Sequence, residues 1–161
     1  MKVFSGILAL LLMPFAVILL TAAAVSCSHP GNDWSEYRGL PSEGWCYGDT
    51  LRFTPAPYDS IATGHLMVAI SHEADFGYSE LWLEVLTTDT DGHVSKDTVS
   101  FPLSDNYGRW KGTGLATHFQ MTDTLHRRVT LVKGVPLKVR HIMQADTLRG
   151  ISQVGIFFIP D

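Results

Sequence analysis

The sequence predicts an all-β protein, an antiparallel β-sandwich or jelly roll of about seven to eight strands. Two observations lead to this prediction. Apolar and polar residues alternate with a period of two in many short segments after residue 30, whereas helical periodicity is hard to find there. Turn-forming residues separate these segments, and no crossover helix is evident. Many short strands joined by polar turns are typical of sandwiches and jelly rolls.

Residues 1–26 are predicted to be a cleavable lipoprotein signal. Lys2 supplies a positive charge, and no charged residue follows between positions 3 and 25. The run Ala24-Val25-Ser26-Cys27 is typical of a lipobox, in which small residues precede a cysteine whose sulfur accepts the lipid. We therefore expect Cys27 to be lipidated and to anchor the chain in the membrane. The alternative is an uncleaved membrane helix that ends in an unrelated cysteine.

The rest of the chain is predicted to contain a lipid-anchored Cys with its tether, residues 27–44, and a single β-sandwich domain, residues 45–161. Polar residues follow Cys27 directly, as a tether requires. If Cys27 carries lipid, Cys46 has no disulfide partner, and the domain must fold on its hydrophobic core alone. We expect Cys46 to be a small buried thiol.

The individual strands are predicted from side chains that share a face. The expected strands are residues 49–53, 65–72, 81–85, 98–103, 129–131, 135–139 and 154–159. In the third strand, Leu81, Leu83 and Val85 share one face and Trp82 lies on the other. Residues 154–159 are apolar on both faces, which favours a central strand.

The charge balance argues against nucleic acid as a partner. Without Lys2, the one charged residue of the signal segment, the chain has 11 basic and 16 acidic residues, a net charge of −5. Such a balance gives no attraction to nucleic acid or to anionic lipid headgroups. The lipid on Cys27 is therefore the expected contact with the membrane.

Residues 107–114, Tyr-Gly-Arg-Trp-Lys-Gly-Thr-Gly, are a candidate binding surface. One interpretation is an aromatic platform of Trp110 and Tyr107 with basic neighbours Arg109 and Lys111, suited to a glycan or a protein partner. The other is a twisted or bulged strand whose Trp110 caps the core. Because Arg109 and Lys111 alternate with Trp110, we expect both charges on the face opposite the indole.

Residues 146–151 are predicted to form a loop that packs back onto the sandwich. Asp146 and Thr147 begin a turn, and a glycine closes it. We expect Leu148 and Ile151 to enter the core. Arg149 is then expected either to pair with Asp146 or to face a partner.

We expect no enzymatic activity, no catalytic residue, and no metal or cofactor. The seven histidines form no His-Glu-x-x-His motif, and no Gly-x-Ser-x-Gly element is present. His72, Glu73 and Asp75 form a polar cluster where a strand is expected to end. Asp89 and Asp91 lie in a predicted turn, in which aspartate side chains bond their own backbone.

Two motifs together carry a family resemblance. The first is residues 107–114, and the second is residues 139–158, which contain Asp-x-Leu-x-Gly-Ile-x-x-Val-Gly-Ile. With the lipobox, their order and spacing resemble the gliding motility-associated lipoprotein GldH of Bacteroidetes. Members often have Arg where Gln144 stands here, so no role of that Arg is carried over.

The resemblance implies a cell-envelope lipoprotein that acts beside the gliding and type IX secretion machinery. The function expected is therefore a non-catalytic assembly or scaffold component with envelope protein partners. The alternative is a carbohydrate-binding β-sandwich lipoprotein that uses Trp110, Trp82 or Tyr107. We expect an outer-membrane location that faces the periplasm, because Asp33 is the first acidic residue after Cys27 and no acidic export tag follows the anchor directly.

Overall fold

The computed structural model describes residues 33–57 and 59–161. The predicted signal segment, Cys27 and the first part of the predicted tether, up to residue 32, lie outside the described residues. The described part of the chain forms twelve β-strands and no helix, which confirms the all-β class and shows that seven to eight strands was too low a number. In these residues no helix is long and apolar enough to cross a membrane.

Ten of the twelve strands form two main antiparallel sheets. The strands are β1 (Trp34–Gly39), β2 (Trp45–Cys46), β3 (Leu51–Phe53), β4 (Ile61–Glu73), β5 (Glu80–Thr88), β6 (Val94–Pro102), β7 (Thr113–Leu115), β8 (His118–Thr124), β9 (Val129–Val132), β10 (Leu137–His141), β11 (Thr147–Leu148) and β12 (Ile151–Pro160). The first sheet has the order β1-β12-β4-β8-β7, with β9 also paired to β4, and the second has the order β3-β10-β5-β6. Strands β2 and β11 form a separate short pair.

The core lies between the two sheets and follows the predicted alternation. Leu66, Val68 and Ile70 of β4 are buried, as are Leu81 and Leu83 of β5. Strand β12 pairs with β1 on one side and β4 on the other, which confirms that it is a central strand. The long β4 changes partner along its length, from β9 at residues 61–64 to β8 at residues 67–73.

The sandwich begins before residue 45, where its start was predicted. Residues 34–39, assigned to the tether, form β1 and pair with β12 along their whole length. Trp34 packs against the core, and a side chain at Gly155 would meet the ring of Tyr37. These two contacts make β1 part of the folded domain. Strands β7 and β8 were also missed, although Phe119 and Met121 alternate with polar residues along β8.

The two ends of the sandwich carry different loops. We call the end at which the described chain begins the proximal end; it also holds the 89–92 turn and the 125–128 loop. The opposite, distal end holds residues 40–50, 74–79, 103–112 and 142–150 and the tip of the β7–β8 hairpin. Strand β4 has 13 residues, so the ends are separated by about 40 Å.

Candidate functional site

The candidate surface of residues 107–111 begins with a tight turn that Asp105 organises. The Asp105 carboxylate accepts hydrogen bonds from the backbone N–H groups of Tyr107 and Arg109, both at 2.9 Å. It also accepts one from Nε of Arg109 at 2.7 Å. The backbone N–H of Arg109 is the main cause that lowers the pKa of Asp105, although desolvation opposes it. The turn is therefore fixed by a charged side chain at its base.

This turn presents an aromatic and cationic pair to solvent. Tyr107 is 85% exposed, and the guanidinium carbon of Arg109 lies 5.5 Å from the centroid of its ring. That distance is within the range of a cation–π interaction. Gly108 has a φ of 76°, which an L side chain rarely adopts, so the turn needs glycine there. The pair is thus held in place without being buried.

Trp110 points the other way, toward the core. Its indole Nε1 donates to the carbonyl of Ala74 at 3.1 Å, and its ring centroid lies 4.9 Å from that of His72. Arg109 and Lys111 are exposed, whereas Trp110 is half-buried. Residues 108–114 do not form the continuous strand considered from the sequence. Trp110 makes an isolated bridge to Ser104, and the backbone bends on both sides of it.

The positive φ angles of two glycines explain why residues 108–114 do not form one continuous strand. Gly108 and Gly112 have φ values of 76° and 94°, which are incompatible with an extended strand. A side chain at Gly112 would lie 2.4 Å from the carbonyl oxygen of Gln120. Gly108 is therefore needed for the turn, and Gly112 is needed for the close approach of its backbone to β8.

Beneath Trp110 lies an aromatic cluster that was not predicted. His72 is fully buried, and its ring stacks on Phe119 with the centroids 5.4 Å apart. Its Nδ1 lies 3.0 Å from the carbonyl oxygen of Glu73, while its Nε2 has no hydrogen-bond partner among the described residues. His72, expected in a polar cluster with Glu73 and Asp75, is instead part of the core that supports Trp110.

The predicted 146–151 loop lies beside the same segment. Leu148 and Ile151 are buried, as expected. Arg149 is exposed, and within residues 33–57 and 59–161 it makes no hydrogen bond or ion pair, either with Asp146 or with another residue. The carbonyl of Gly150 accepts a hydrogen bond from the backbone N–H of Glu73 at 2.8 Å. Because Trp110 bonds Ala74 and Gly150 bonds Glu73, both segments contact the chain directly after β4.

A second aromatic contact closes the distal end at β2. Trp45 is fully buried, and its ring centroid lies 5.3 Å from that of the equally buried His141. Tyr47 contacts the same imidazole at 5.5 Å. Burial is the main cause that lowers the pKa of His141, although backbone groups of Trp45 and Cys46 partly oppose it. His141 is therefore neutral at pH 7.

Cys46 is exposed, so the expectation of a buried thiol is wrong. Its Sγ lies 3.8 Å from Oγ1 of Thr147 on the paired strand. Adjacent residues of a strand point to opposite sides, and Trp45 takes the inward position. The larger side chain fills the core, and the thiol faces outward.

One cluster among the described residues has the spacing of metal ligands. It comprises Asp89, Asp91 and His93 of the β5–β6 turn, at the proximal end. One oxygen of Asp89 accepts hydrogen bonds from the backbone N–H groups of Asp91 and His93, at 3.0 and 2.8 Å. Asp89 therefore stabilises its own turn, as the sequence pattern indicated.

The side chains exposed at the distal end are of the types that proteins use at interfaces. Tyr47, Tyr78, Tyr107 and Leu115 are 51%, 43%, 85% and 87% exposed. The cationic residues Arg109, Lys111 and Arg149 lie in the loops of the same end. Tyr and Arg are enriched in protein interfaces and among the residues that contribute most binding energy. This composition is typical of protein interfaces.

Comparison with solved structures finds distant similarities only. The globular domain of zebrafish complement 1qA protein is 10% identical, with 80% of this chain and 96% of that chain covered and a TM-score of 0.43. Eiger TNF from S. frugiperda is 14% identical, with 83% and 95% covered and a TM-score of 0.38. Dimeric latent PorU from Porphyromonas gingivalis is 14% identical, with 80% and 13% covered and a TM-score of 0.33.

The family comparison is more specific. No curated protein sequence matches the chain. The profile of the GldH lipoprotein family matches residues 33–157, which include every strand except the last residues of β12. The chain therefore belongs to the GldH lipoprotein family.

Proposed function

We propose that this chain is a non-catalytic envelope lipoprotein that serves as an assembly or scaffold component of the gliding and type IX secretion machinery. Membership of the GldH lipoprotein family supports the anchored location. The observation that carries the proposal is the fixed Tyr107–Arg109 turn at the distal end. A preorganised turn loses little conformational entropy when a partner binds.

The lipid on Cys27 sets the orientation in this proposal. Five residues lie between Cys27 and Asp33, so the connecting chain spans at most about 20 Å. The sandwich itself is about 40 Å long. Lipidation at Cys27 thus keeps the proximal end near the outer membrane, and the distal end faces the periplasm. The exposed tyrosines and cations are then directed toward other envelope proteins.

The partner contact is proposed to centre on Tyr107, with Arg109, Lys111 and Arg149 around it. Arg149 has no protein partner of its own among the described residues and is free to pair with a carboxylate. Trp110 supports this surface from below through its bond to Ala74. Its role is to hold the turn on the core, and the contacts themselves are made by its neighbours.

The test of this role replaces Tyr107 and Arg109 together by Ser in cells that depend on the protein. We expect loss of colony spreading or of type IX cargo export at normal protein level, because both side chains are exposed and their removal spares the core. The matched control is Asp91→Ser, which changes an exposed turn at the proximal end. Normal spreading and export in the double variant would contradict the proposal.

The anchor is tested separately with Cys27→Ser. We expect this variant to lose incorporation of a palmitate analogue and to leave the membrane fraction, because a lipoprotein is held by its acyl chains. Cys46→Ser is the control, since Cys46 is an exposed cysteine in the folded domain. Continued acyl labelling of Cys27→Ser would show that the lipid is attached elsewhere.

A further inference from the structure

Trp82 differs from Trp45 and Trp110 in the bonding of its indole N–H group. Trp45 and Trp110 donate their indole N–H groups to the carbonyls of Asp49 and Ala74. Trp82 is 41% exposed, and no acceptor among the described residues contacts its indole nitrogen. A large aromatic side chain with a free donor is expected where a ligand or partner supplies the missing contacts.

The position of Trp82 follows from the alternation of β5. Leu81 and Leu83 are fully buried, so Trp82 between them lies on the outer face of the second sheet. It pairs with Ser100 of β6, which is the edge strand of that sheet. The indole therefore lies on the outer face of this sheet, one strand in from its edge.

A groove of about 210 Å³ lies at this edge. Most of the groups around it can form hydrogen bonds, and Val99 and Leu125 contribute buried apolar side chains. The groove is lined by Trp82, Thr98, Val99, Ser100, Asp123, Thr124, Leu125 and His126. Thr98, Asp123 and His126 are exposed, so their polar groups are accessible from solvent. One oxygen of Asp123 accepts the backbone N–H of Thr124 at 2.7 Å, which fixes the carboxylate.

We propose that this groove binds a sugar ring of an envelope glycan. An indole face packs against the C–H face of a pyranose, while hydroxyl, carboxylate and imidazole groups at the rim bond its hydroxyls. Pockets for drug-sized ligands have volumes of about 300–1,000 Å³, so this smaller groove fits one or two rings of a chain. The single carboxylate of Asp123 disfavours an acidic sugar and favours a neutral one.

The competing occupant is an extended peptide that adds a strand to β6. Arg127 argues against it. Its guanidinium joins Asp97 of β6 at 2.7 Å and the hydroxyl of Thr87 at 3.0 Å. These bonds cross one end of β6 and leave a compact groove rather than a long free edge. The site is separate from the Tyr107 turn, so it stands whether or not the scaffold role does.

The experiment titrates the unlipidated chain from Ser28 with chitotriose, mannotriose, a muropeptide disaccharide and the O-polysaccharide of the source cells. Every core residue that the structure describes lies within residues 33–161, so this chain contains all of them. Binding is followed by calorimetry. We expect at least one saccharide to bind saturably, Trp82→Ala to weaken it at least about tenfold, and Trp82→Tyr to retain most of the affinity.

Tyr47→Ala is the matched control, because Tyr47 is another exposed aromatic residue that lies outside the groove. We expect it to bind like the wild type. The proposal is overturned if none of the four saccharides binds, or if Trp82→Ala binds as tightly as the wild type. The proposal would also be overturned if no saccharide binds and an extended peptide binds along β6 instead. Thermal melting of Trp82→Ala must match the wild type, which the exposure of Trp82 predicts.

Discussion

The two ends of the sandwich are stabilised by different kinds of contact. At the proximal end, Arg127 bonds Asp97 and Thr87, and Arg128 forms an ion pair with the C-terminal residue Asp161. At the distal end, aromatic groups close the core. They form two clusters, one of Trp45, Tyr47 and His141 and one of His72, Phe76, Trp110 and Phe119.

This difference has a physical consequence. Ion pairs near a surface contribute little free energy and are weakened by salt, whereas buried aromatic side chains contribute several kcal/mol each. The distal end therefore has a rigid aromatic base under its loops. Such a base allows an exposed turn like that of Tyr107 to keep one conformation. The predictions below test whether the ends differ as this comparison requires.

The largest effect is expected for Trp45→Ala. Trp45 is fully buried against His141, so its removal should lower the free energy of unfolding by about 3–5 kcal/mol. Urea denaturation measures this loss. Tyr47→Ala is the control, because Tyr47 touches the same imidazole but is half exposed, and it should cost about 1 kcal/mol or less. Equal losses in the two variants would mean that Trp45 does not close the core.

A smaller loss is expected for Trp110→Ala. Trp110 is half-buried and bonds Ala74, so we expect about 2–3 kcal/mol of destabilisation. Arg109→Ala should change the stability by no more than about 0.5 kcal/mol, since Arg109 is exposed. A destabilised Arg109→Ala beside an unchanged Trp110→Ala would reverse the assignment of faces.

At the proximal end, Arg127→Ala should cost about 1 kcal/mol, because the Arg127–Asp97 pair is partly exposed to solvent. The loss should shrink when the salt concentration rises from 0.05 to 1 M, because the screening length at the surface shortens roughly fourfold over that range. The same salt series should leave the loss in Trp45→Ala unchanged. A salt-independent loss in Arg127→Ala would show that packing of its alkyl chain dominates.

The lowered pKa of His141 predicts that the free energy of unfolding depends on pH. Burial lowers its pKa in the folded state, so both states are neutral above the unfolded value of about 6.5. As the pH falls below that value, the unfolded state takes up the proton first, and the free energy of unfolding decreases. His141→Leu should flatten the curve below about pH 6.5. An unaltered slope in His141→Leu would assign the pH dependence to another group.

The smallest effect concerns the tip of the β7–β8 hairpin. Ala116 has a φ of 58°, a left-handed conformation that costs an L residue about 1–2 kcal/mol. Ala116→Gly should therefore raise the free energy of unfolding, by about 0.5–1 kcal/mol after the entropy of glycine is considered. Gly92→Ala, the opposite change at a φ of 82°, should be destabilising. A loss of stability in Ala116→Gly would contradict this description of the turn.

The strands could be predicted from the sequence where apolar and polar residues alternate strongly. The prediction failed where only the neighbouring strands determine what a strand covers. Leu81, Leu83 and Val85 identify β5 because a half-buried strand needs such a pattern. In β1, by contrast, polar residues separate Trp34 from Tyr37, and only the register with β12 shows what these side chains cover. Two-residue strands such as β2 and β11 have no pattern at all.

For the candidate surface too, the sequence predicted part of the arrangement and missed the rest. The alternation of Arg109, Trp110 and Lys111 indicates which side chains face solvent, and the structure places Arg109 and Lys111 there. The role of Asp105 was not predicted, although an Asp two residues before Tyr107 is a signal for a capped turn. Burial of His72 and His141 depends on tertiary packing, which a single sequence does not reveal.

The central claim is that the distal turn, rather than the proximal end, contacts a partner in the envelope. Its most direct test places the photocrosslinking residue benzoylphenylalanine at Tyr107 in one variant and at Asp91 in another, in living cells. Both positions are exposed, and they lie at opposite ends of the sandwich. We predict a discrete crosslinked envelope protein from position 107 and none from position 91. A partner captured from position 91 alone, or from neither position, would contradict the account.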